Sequence, residues 1–431
     1  MVFFLLGYMW LYVHRPFEIW PWLGTLSIER VYILSIAVIW LLLYKKSFFW
    51  NINLFGIILI TAAILISDFM TNTTGETNKV VEEWSKIIFY AILLVASIRN
   101  QFELKIILTG FAVIFFVYML HSYYEFKFCG RFEYRMGIVR MIGIGITMSD
   151  ANSFGASVVF YLPVLVPLWG VLRGLYAIPV RLFVIVSFGL AVVCITYTGS
   201  RGSFVGLLAY AMLAIAFSKN RWKIAATACV LFPIVWMNMG ERLQNRYLTL
   251  IDPSRGPANA QVSAEGRMKG FRAGMELFTK SPLYGVGPGH VQDFLKYQTH
   301  NFIGQVAGEL GGLGLFAYFS LCCCITINYL YSRFYWKILT AHHPNAESFL
   351  FQVSQAIFFA LILLLLMGIG GHNAYRYTWV WFAVFQSMAV VSLKKAADDS
   401  IRETHDGQLE LMQESWEPSS HPAVDRPIPV S

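Results

Sequence analysis

Apolar residues arrive in runs of roughly 15–22, and no other feature constrains the fold of this chain as strongly. A helix needs about 20 such residues to cross the hydrocarbon of a bilayer. Backbone in lipid must satisfy its own hydrogen bonds, so runs of this length are expected to be helices. A spanning β-barrel would show alternating segments of about 10 residues, and the sequence has none. Composition points the same way. Only 13% of the residues are charged and 57% are hydrophobic, against about 25% charged in soluble domains, and mean hydropathy is +0.57. The expected fold class is an all-α polytopic integral membrane protein in contact with bilayer lipid.

Twelve spans are predicted, at 1–13, 30–44, 54–70, 84–98, 104–123, 153–172, 180–197, 203–217, 222–239, 301–331, 349–367 and 377–393. The run 301–331 is too long for one simple crossing, so its first turns are expected to stand clear of the bilayer. The spans define a membrane domain over 1–395. Within it, the connection 240–300 joins the ninth and tenth spans and is expected to carry short helices. The segment 396–431 is acidic and polar, then proline-rich, which is the composition of a disordered tail. The start, Met1-Val2-Phe3-Phe4, has neither a basic region nor a small-residue cleavage site, so no cleavable leader is read. Five of the six cysteines lie in apolar runs and Cys129 lies in a loop. Without metal-type spacing, all six read as small apolar filler.

Basic residues in short connections set orientation. Lys45/Lys46, Arg99/Lys105, Arg173/Arg181, Lys219/Arg221/Lys223, Arg333/Lys337 and Lys394/Lys395 occupy one alternating set of connections. They are expected to be cytoplasmic, with both termini. The opposite set is basic too. Arg131, Arg135 and Arg140 follow the fifth span, Arg201 stands at the next outer turn, and the 240–300 connection holds Arg242, Arg246, Arg255, Arg267, Lys269, Arg272, Lys280 and Lys296. Long loops escape the orientation rule. The alternative is a basic outer chamber that holds an anion, since guanidinium forks suit phosphate oxygens.

Three stretches could carry chemistry. In Thr198-Gly199-Ser200-Arg201-Gly202-Ser203, Ser200 is placed to cap the eighth span. The helix would then aim its unpaired N–H groups and Arg201 outward, and Gly202 would let a ligand approach. In Glu265–Lys280, Met268, Phe271, Met275 and Phe278 form an apolar helical stripe opposite Lys269, Arg272 and Glu276. Arg267 falls at the edge of that stripe beside Gly270 and Gly274, where an arginine needs an anionic partner. The glycine- and proline-rich turn Ser281–His290 lacks the Gly-Lys-Ser/Thr of a phosphate loop. His300 closes the connection. With Thr299 as cap it would sit in the first helical turn, on a face shared with Gly304, Ala307, Gly308 and Gly311 that admits another helix or a substrate. A helix N-terminus keeps an imidazole neutral, which suits a general base. The outer acids Glu125, Glu133, Asp150, Asp252 and Asp293 are scattered and pair with neither His290 nor His300, so no catalytic metal and no cofactor are expected.

These stretches, in order, resemble the O-antigen ligase and O-antigen polymerase superfamily of bacterial inner-membrane glycosyltransferases. The pattern is Met148-Ser149-Asp150-Ala151-Asn152, Ser200-Arg201-Gly202, Gly266-Arg267, Ser281-Pro282-Leu283-Tyr284-Gly285-Val286-Gly287, and His300-Asn301 followed by Glu309-Leu310-Gly311. It covers residues 140–320 approximately. The resemblance implies a multi-pass inner-membrane enzyme whose active face is periplasmic. It implies transfer of a glycan from an undecaprenyl-diphosphate carrier to an acceptor sugar hydroxyl, inverting and without metal. By position, Arg201 and Arg267 would bind the diphosphate and His300 would activate the acceptor. Ser200, Gly202, Asn301, Asn152 and Arg140 are the further candidate substrate-binding residues. The acceptor would be lipid A-core for a ligase or a second lipid-linked repeat for a polymerase, and sequence alone leaves both open. No nucleic acid is implied as a partner.

The rival from another class is a lipid-linked sugar transporter or flippase. Such a protein places polar groups at mid-membrane and shows repeat symmetry with broken helices. Here the span centres are mostly apolar and the conspicuous residues gather at one predicted face.

Overall fold

The computed structural model describes residues 1–72, 78–135, 137–145, 148–252, 259–295 and 299–416. Arg255 and Lys296 of the basic connection, and 417–431 of the tail, lie outside the described residues. A helix occupies each of the twelve predicted segments: Val2–His14, Ile28–Leu43, Ile52–Thr71, Lys79–Ser97, Gln101–Phe128, Ala151–Leu168, Ala177–Thr198, Arg201–Phe217, Arg221–Met237, Phe302–His342, Phe349–Gly368 and Tyr377–Trp416. Six stretches are long and apolar enough to cross a membrane: Ile52–Thr71, Gln101–Phe128, Ala151–Leu168, Gly174–Thr198, Phe302–His342 and Phe349–Gly368. The chain is a helical membrane protein.

Small polar residues set where the helices start. Asn51 accepts from the Asn53 N–H, Asn78 from Val80, Asn100 from Glu103 and Asp150 from Ser153, all at 2.8–3.0 Å. Each cap satisfies a donor that the first turn leaves orphaned. The Tyr377–Trp416 helix is apolar all round in its first half, and it is buried accordingly: Trp379, Trp381, Phe382 and Phe385 are at most 2% exposed. Trp381 packs on Tyr90 and Phe382 on Phe111, with ring centres 4.8 and 6.1 Å apart. Polar side chains tie this helix to its neighbours. Asn53 Nδ2 donates to Ala383 O and Gln386 Oε1, both at 2.9 Å, and Gln386 Nε2 donates to Ser354 Oγ at 3.2 Å. Bonds of this kind between membrane helices contribute roughly 0.6–2 kcal/mol each.

The connections gather at two opposite ends. At one, Arg99 reaches Lys45 O, and Lys105 pairs with Glu347 at 2.6 Å. This end holds the connections with the basic pairs. At the other, Arg15 pairs with Glu83 at 2.9 Å, and Asn78 Nδ2 donates to Pro288 O at 2.9 Å. Arg140 Nε donates to Thr198 O at 2.8 Å, and Arg246 Nε to Gly199 O at 2.6 Å. We call this second end the site end.

The Phe302–His342 helix is broken at Gly311, whose φ of 63° and ψ of −153° are not helical. The glycine-rich turn after Lys280 splices the break. Val286 N donates to Gly308 O at 2.9 Å and Gly287 N to Glu309 O at 3.0 Å, while Gly312 N and Leu313 N donate to Pro282 O and Leu283 O at 2.8 and 3.1 Å. Turn backbone thus replaces the partners that the break removes, as buried peptide groups require. A Cβ at Gly311 would lie 2.6 Å from the Leu283 carbonyl carbon, so only glycine fits. Ser67 Oγ lies 2.6 Å from Tyr284 O and 2.8 Å from Glu309 O, tying the splice to the Ile52–Thr71 helix.

Three expectations change. The all-α expectation meets one exception: Phe132–Arg135 and Ile138–Met141 pair as an antiparallel hairpin, with Glu133 opposite Arg140. Gly137, at φ 75°, makes the turn. The 240–300 connection carries, beside Glu241–Leu248 and Val291–Leu295, a 22-residue helix, Asn259–Lys280. The segment from 396, read as disordered, continues the last helix to Trp416. Its Leu409-Glu410-Leu411-Met412-Gln413-Glu414 run consists of good helix formers, and Ala397 and Ser400 are buried.

Candidate functional site

The site begins with two glycine-faced segments. Along Asn259–Lys280 the buried face is Gly270, Ala273, Gly274 and Leu277, whereas Met268 is 52% exposed. The packed stripe is therefore turned away from Met268, toward the glycines. A Cβ at Gly270 would sit 2.1 Å from Thr299 O, and one at Gly274 would sit 2.3 Å from Gly304 O. Gly308 would meet Val291 and Gly274 at 3.2–3.3 Å. The small-residue face after His300 thus receives the connection helix, in backbone-to-backbone contact. Arg267 lies one turn before Gly270 on the same face. Its guanidinium would stand 3.1–3.3 Å from a Cβ at Gly370, in the turn after the Phe349–Gly368 helix. Lys269, Arg272 and Glu276 are exposed.

The second wall is the turn at Gly199, which adopts φ 56°. Ser200 is the cap: its Oγ accepts from Ser203 N at 3.3 Å and from Ser203 Oγ at 3.0 Å. Arg201 opens the helix and donates through NH1 to Thr249 Oγ1 at 3.2 Å. A Cβ at Gly202 would meet only the Met367 methyl, at 3.6 Å. Arg140 is 1% exposed, and its three guanidinium nitrogens reach Thr198 O, Glu133 Oε2 at 3.2 Å and Asn152 Oδ1 at 2.8 Å. Asn301 Oδ1 accepts from Gly304 N at 2.9 Å, and its Nδ2 donates to Ile369 O at 3.0 Å. Among the residues read from sequence as substrate-binding, Ser200, Arg140, Asn152 and Asn301 have these atoms engaged by the protein itself. They position the site.

His300 departs from its expected place. Asn301, not Thr299, caps the helix, which starts at Phe302. Thr299 is buried. His300 precedes the cap at φ 46°, a left-handed conformation uncommon outside glycine. Holding a non-glycine residue there costs about 1–3 kcal/mol, and such strain clusters at functional sites. Its ring faces His372, with centres 5.6 Å apart and planes at 57°.

Burial and like charge together set the electrostatics. Burial, then Arg140 and Arg201, pull Arg246 down to about 10. Burial, then Arg201, lowers Arg267. Burial, then Arg267, lowers His300, against an opposing pull from Asp150. Burial, then His300 and Arg376, pull His372 down to about 4. The imidazoles are therefore neutral near pH 7, for a reason other than the helix end invoked from sequence. Among the described residues no carboxylate lies within ion-pair distance of Arg201 or Arg267. That arrangement favours an anion with several oxygens.

Arg246 stood out from sequence only as one member of the basic connection, and His372 and Arg376 did not stand out at all. Arg246 lay in a long basic connection, beside the buried Tyr247 of a short amphipathic helix. His372 and Arg376 sit in the short connection 369–376, where Gly370 and Gly371 beside a histidine were the available signal. One pairing was also missed. His290 Nδ1 lies 2.8 Å from Asp293 Oδ2, three residues on. No group of three His, Cys, Asp or Glu suited to a metal occurs among the described residues.

No curated protein compared with the chain matches it. Residues 186–319 match the family model described as O-antigen ligase. That stretch runs from the helix before Arg201, through Arg246 and Arg267, to the far side of the Gly311 break. Over that stretch, about a third of its length, the chain is similar to the O-antigen ligase family.

Proposed function

We propose that this protein is a membrane glycosyltransferase that moves a glycan from an undecaprenyl-diphosphate carrier to an acceptor sugar hydroxyl, at the periplasmic face of a bacterial inner membrane. The observation that carries the reading is the placement of Arg201 and Arg267. They are partly buried guanidinium groups with no described carboxylate partner, near enough that Arg201 lowers Arg267 and Arg267 lowers the neutral His300. In this reading they bind the diphosphate, and Arg246 adds to the field from the Gly199 turn.

As the anomeric C–O bond breaks, negative charge moves onto the leaving diphosphate. Preorganised donors stabilise that charge most where water is excluded, by about 3 kcal/mol for one such donor. His300 Nδ1 or Nε2 takes the acceptor proton while the acceptor oxygen attacks, which inverts the anomeric centre. The donor is already activated, so the reaction needs neither nucleotide sugar nor metal. The twelve helices are read as twelve crossings, with the site end outward and the basic pairs inward.

The acceptor is lipid A-core in a ligase, which is the first reading, or a second lipid-linked repeat in a polymerase. A strain lacking the gene distinguishes them. Long unattached polymer indicates a lost ligase, and acceptors capped by single repeats indicate a lost polymerase. An unaltered surface glycan would overturn the proposal.

A further inference from the structure

A cavity of about 250 Å³ lies at the site end, between the close of the Val2–His14 helix and the 372–377 turn. His372 belongs to both places. It lines the cavity, and its ring is 5.6 Å from that of His300. Arg201 and Arg267 stand outside it.

The lining has two chemistries. Tyr12, Tyr118 and Tyr377 form part of the wall, and Tyr12 meets Tyr377 edge-on at 5.8 Å. Such rings suit the C–H face of a pyranose, because they bury apolar area at small entropy cost. Between them are the Glu18 carboxylate, the Arg376 guanidinium and His372, whose Nδ1 is buried without a partner among the described residues. Hydroxyl groups, which donate and accept, match such a set.

Charge and size narrow the ligand. Arg15 pairs with Glu18 at 2.8 Å and with Glu83 at 2.9 Å. The charge of Arg15 is thus met by the protein, and Arg376, whose NH1 donates to Ser157 Oγ at 2.7 Å, is left as a single guanidinium rather than the cluster that a phosphate would call for. The volume falls below the ~300–1,000 Å³ of common small-molecule pockets, which leaves room for one ring and not for an oligosaccharide.

We propose that this cavity is a neutral monosaccharide subsite, seating the acceptor sugar whose hydroxyl faces His300. The assignment of that sugar as the acceptor rests on His300 being the base. The cavity's ligand chemistry does not.

The test uses the full chain in lipid nanodiscs and a diazirine derivative of N-acetylglucosamine. Irradiation is expected to label peptides containing Tyr12–Glu18 or His372–Tyr377, in competition with free N-acetylglucosamine but not with inorganic phosphate. Val13→Phe, which fills the cavity, is expected to lower the labelled yield at least about tenfold, a modest change in binding free energy. Glu18→Gln keeps the shape and is expected to lower it several-fold, should the bulky variant fold poorly. Labelling that avoids both peptides, or that survives both substitutions undiminished, overturns the proposal. The probe is not turned over, so the two readings fail separately. Cavity labelling in a protein without transferase activity would refute the chemistry alone, and an active protein without cavity labelling would refute the subsite alone.

Discussion

The His300 and His372 rings stand 5.6 Å apart at 57°, and each is shifted toward its neutral form. A base acts from its neutral form, and burial with Arg267 lowers the pH at which His300 reaches it. Activity is therefore expected to rise with pH through one ionisation below the ordinary histidine value of about 6.5. His300→Gln keeps hydrogen bonding and loses basicity, so it should cost about 10²–10⁴-fold in turnover. His290→Ala is the comparison. Its Asp293 partner makes His290 a dyad on the Asn78 side of the turn, and its loss should cost little. A pH profile of kcat/KM decides, and full activity in His300→Gln would remove this residue from the mechanism.

Arg201→Ala and Arg267→Ala should each lower kcat by about 10²–10³-fold, the usual loss when one donor to developing charge is removed. Lysine should rescue neither, because a point charge lacks the bidentate fork. Arg272 is exposed on the opposite face, and Arg272→Ala should stay within a factor of two or so of the parent. The reverse ranking of Arg267 and Arg272 would show that the wrong helical face was chosen.

Arg140 is a hub. Replacing it with alanine strands Asn152 Oδ1 and the Thr198 carbonyl and leaves Glu133 only its longer pairing with Arg135. Breaking a buried pair in this way costs about 3–5 kcal/mol. Arg140→Ala should thus lower the thermal unfolding midpoint in detergent, whereas Arg201→Ala should leave it near the parent's. Equal midpoints for the two variants would contradict this division of labour.

Gly311→Ala would put a methyl group 2.6 Å from the Leu283 carbonyl carbon, and Gly270→Ala 2.1 Å from Thr299 O. Both distances are below contact, and the obstacles are backbone. Either change should displace the splice or the connection helix and abolish transfer, while Gly202→Ala, with only a methyl at 3.6 Å, should fold normally. Limited proteolysis of the 240–300 connection would report the difference, and parental resistance in Gly311→Ala would falsify the fit.

Orientation is read by thiol labelling in intact cells. Cysteines at Lys46, Lys219 and Lys337 should be shielded from an impermeant reagent, and cysteines at Asn72 and Arg272 should react. Labelling at Lys219 would place His300 on the cytoplasmic side and sink the proposed donor.

The helices were legible because lipid leaves the backbone one local solution, so hydrophobic runs and Asn or Ser caps suffice to locate them. Arg201 and Arg267 were legible for a related reason: a charge at a capped helix start, and another on a glycine-lined face, are local conflicts. Long-range facts were not legible. Nothing local says that Arg140 reaches Asn152 and Thr198, or that the 372–376 turn comes to His300. The cap at Asn301 instead of Thr299 turned on one left-handed residue, which local propensity argues against. The hairpin was missed because its two short strands sit in a loop whose composition looked merely basic.

Apart from the Ser67 hydroxyl, which bridges Tyr284 O and Glu309 O, the splice at Gly311 joins turn to helix through peptide groups. Side chains in the turn are consequently spared from holding it, as the 60% exposure of Leu283 illustrates. Outside the glycines, the turn can change its chemical character without moving His300 or Arg267. Its outward surface is thus free to diverge while the backbone that seats His300 and Arg267 stays fixed.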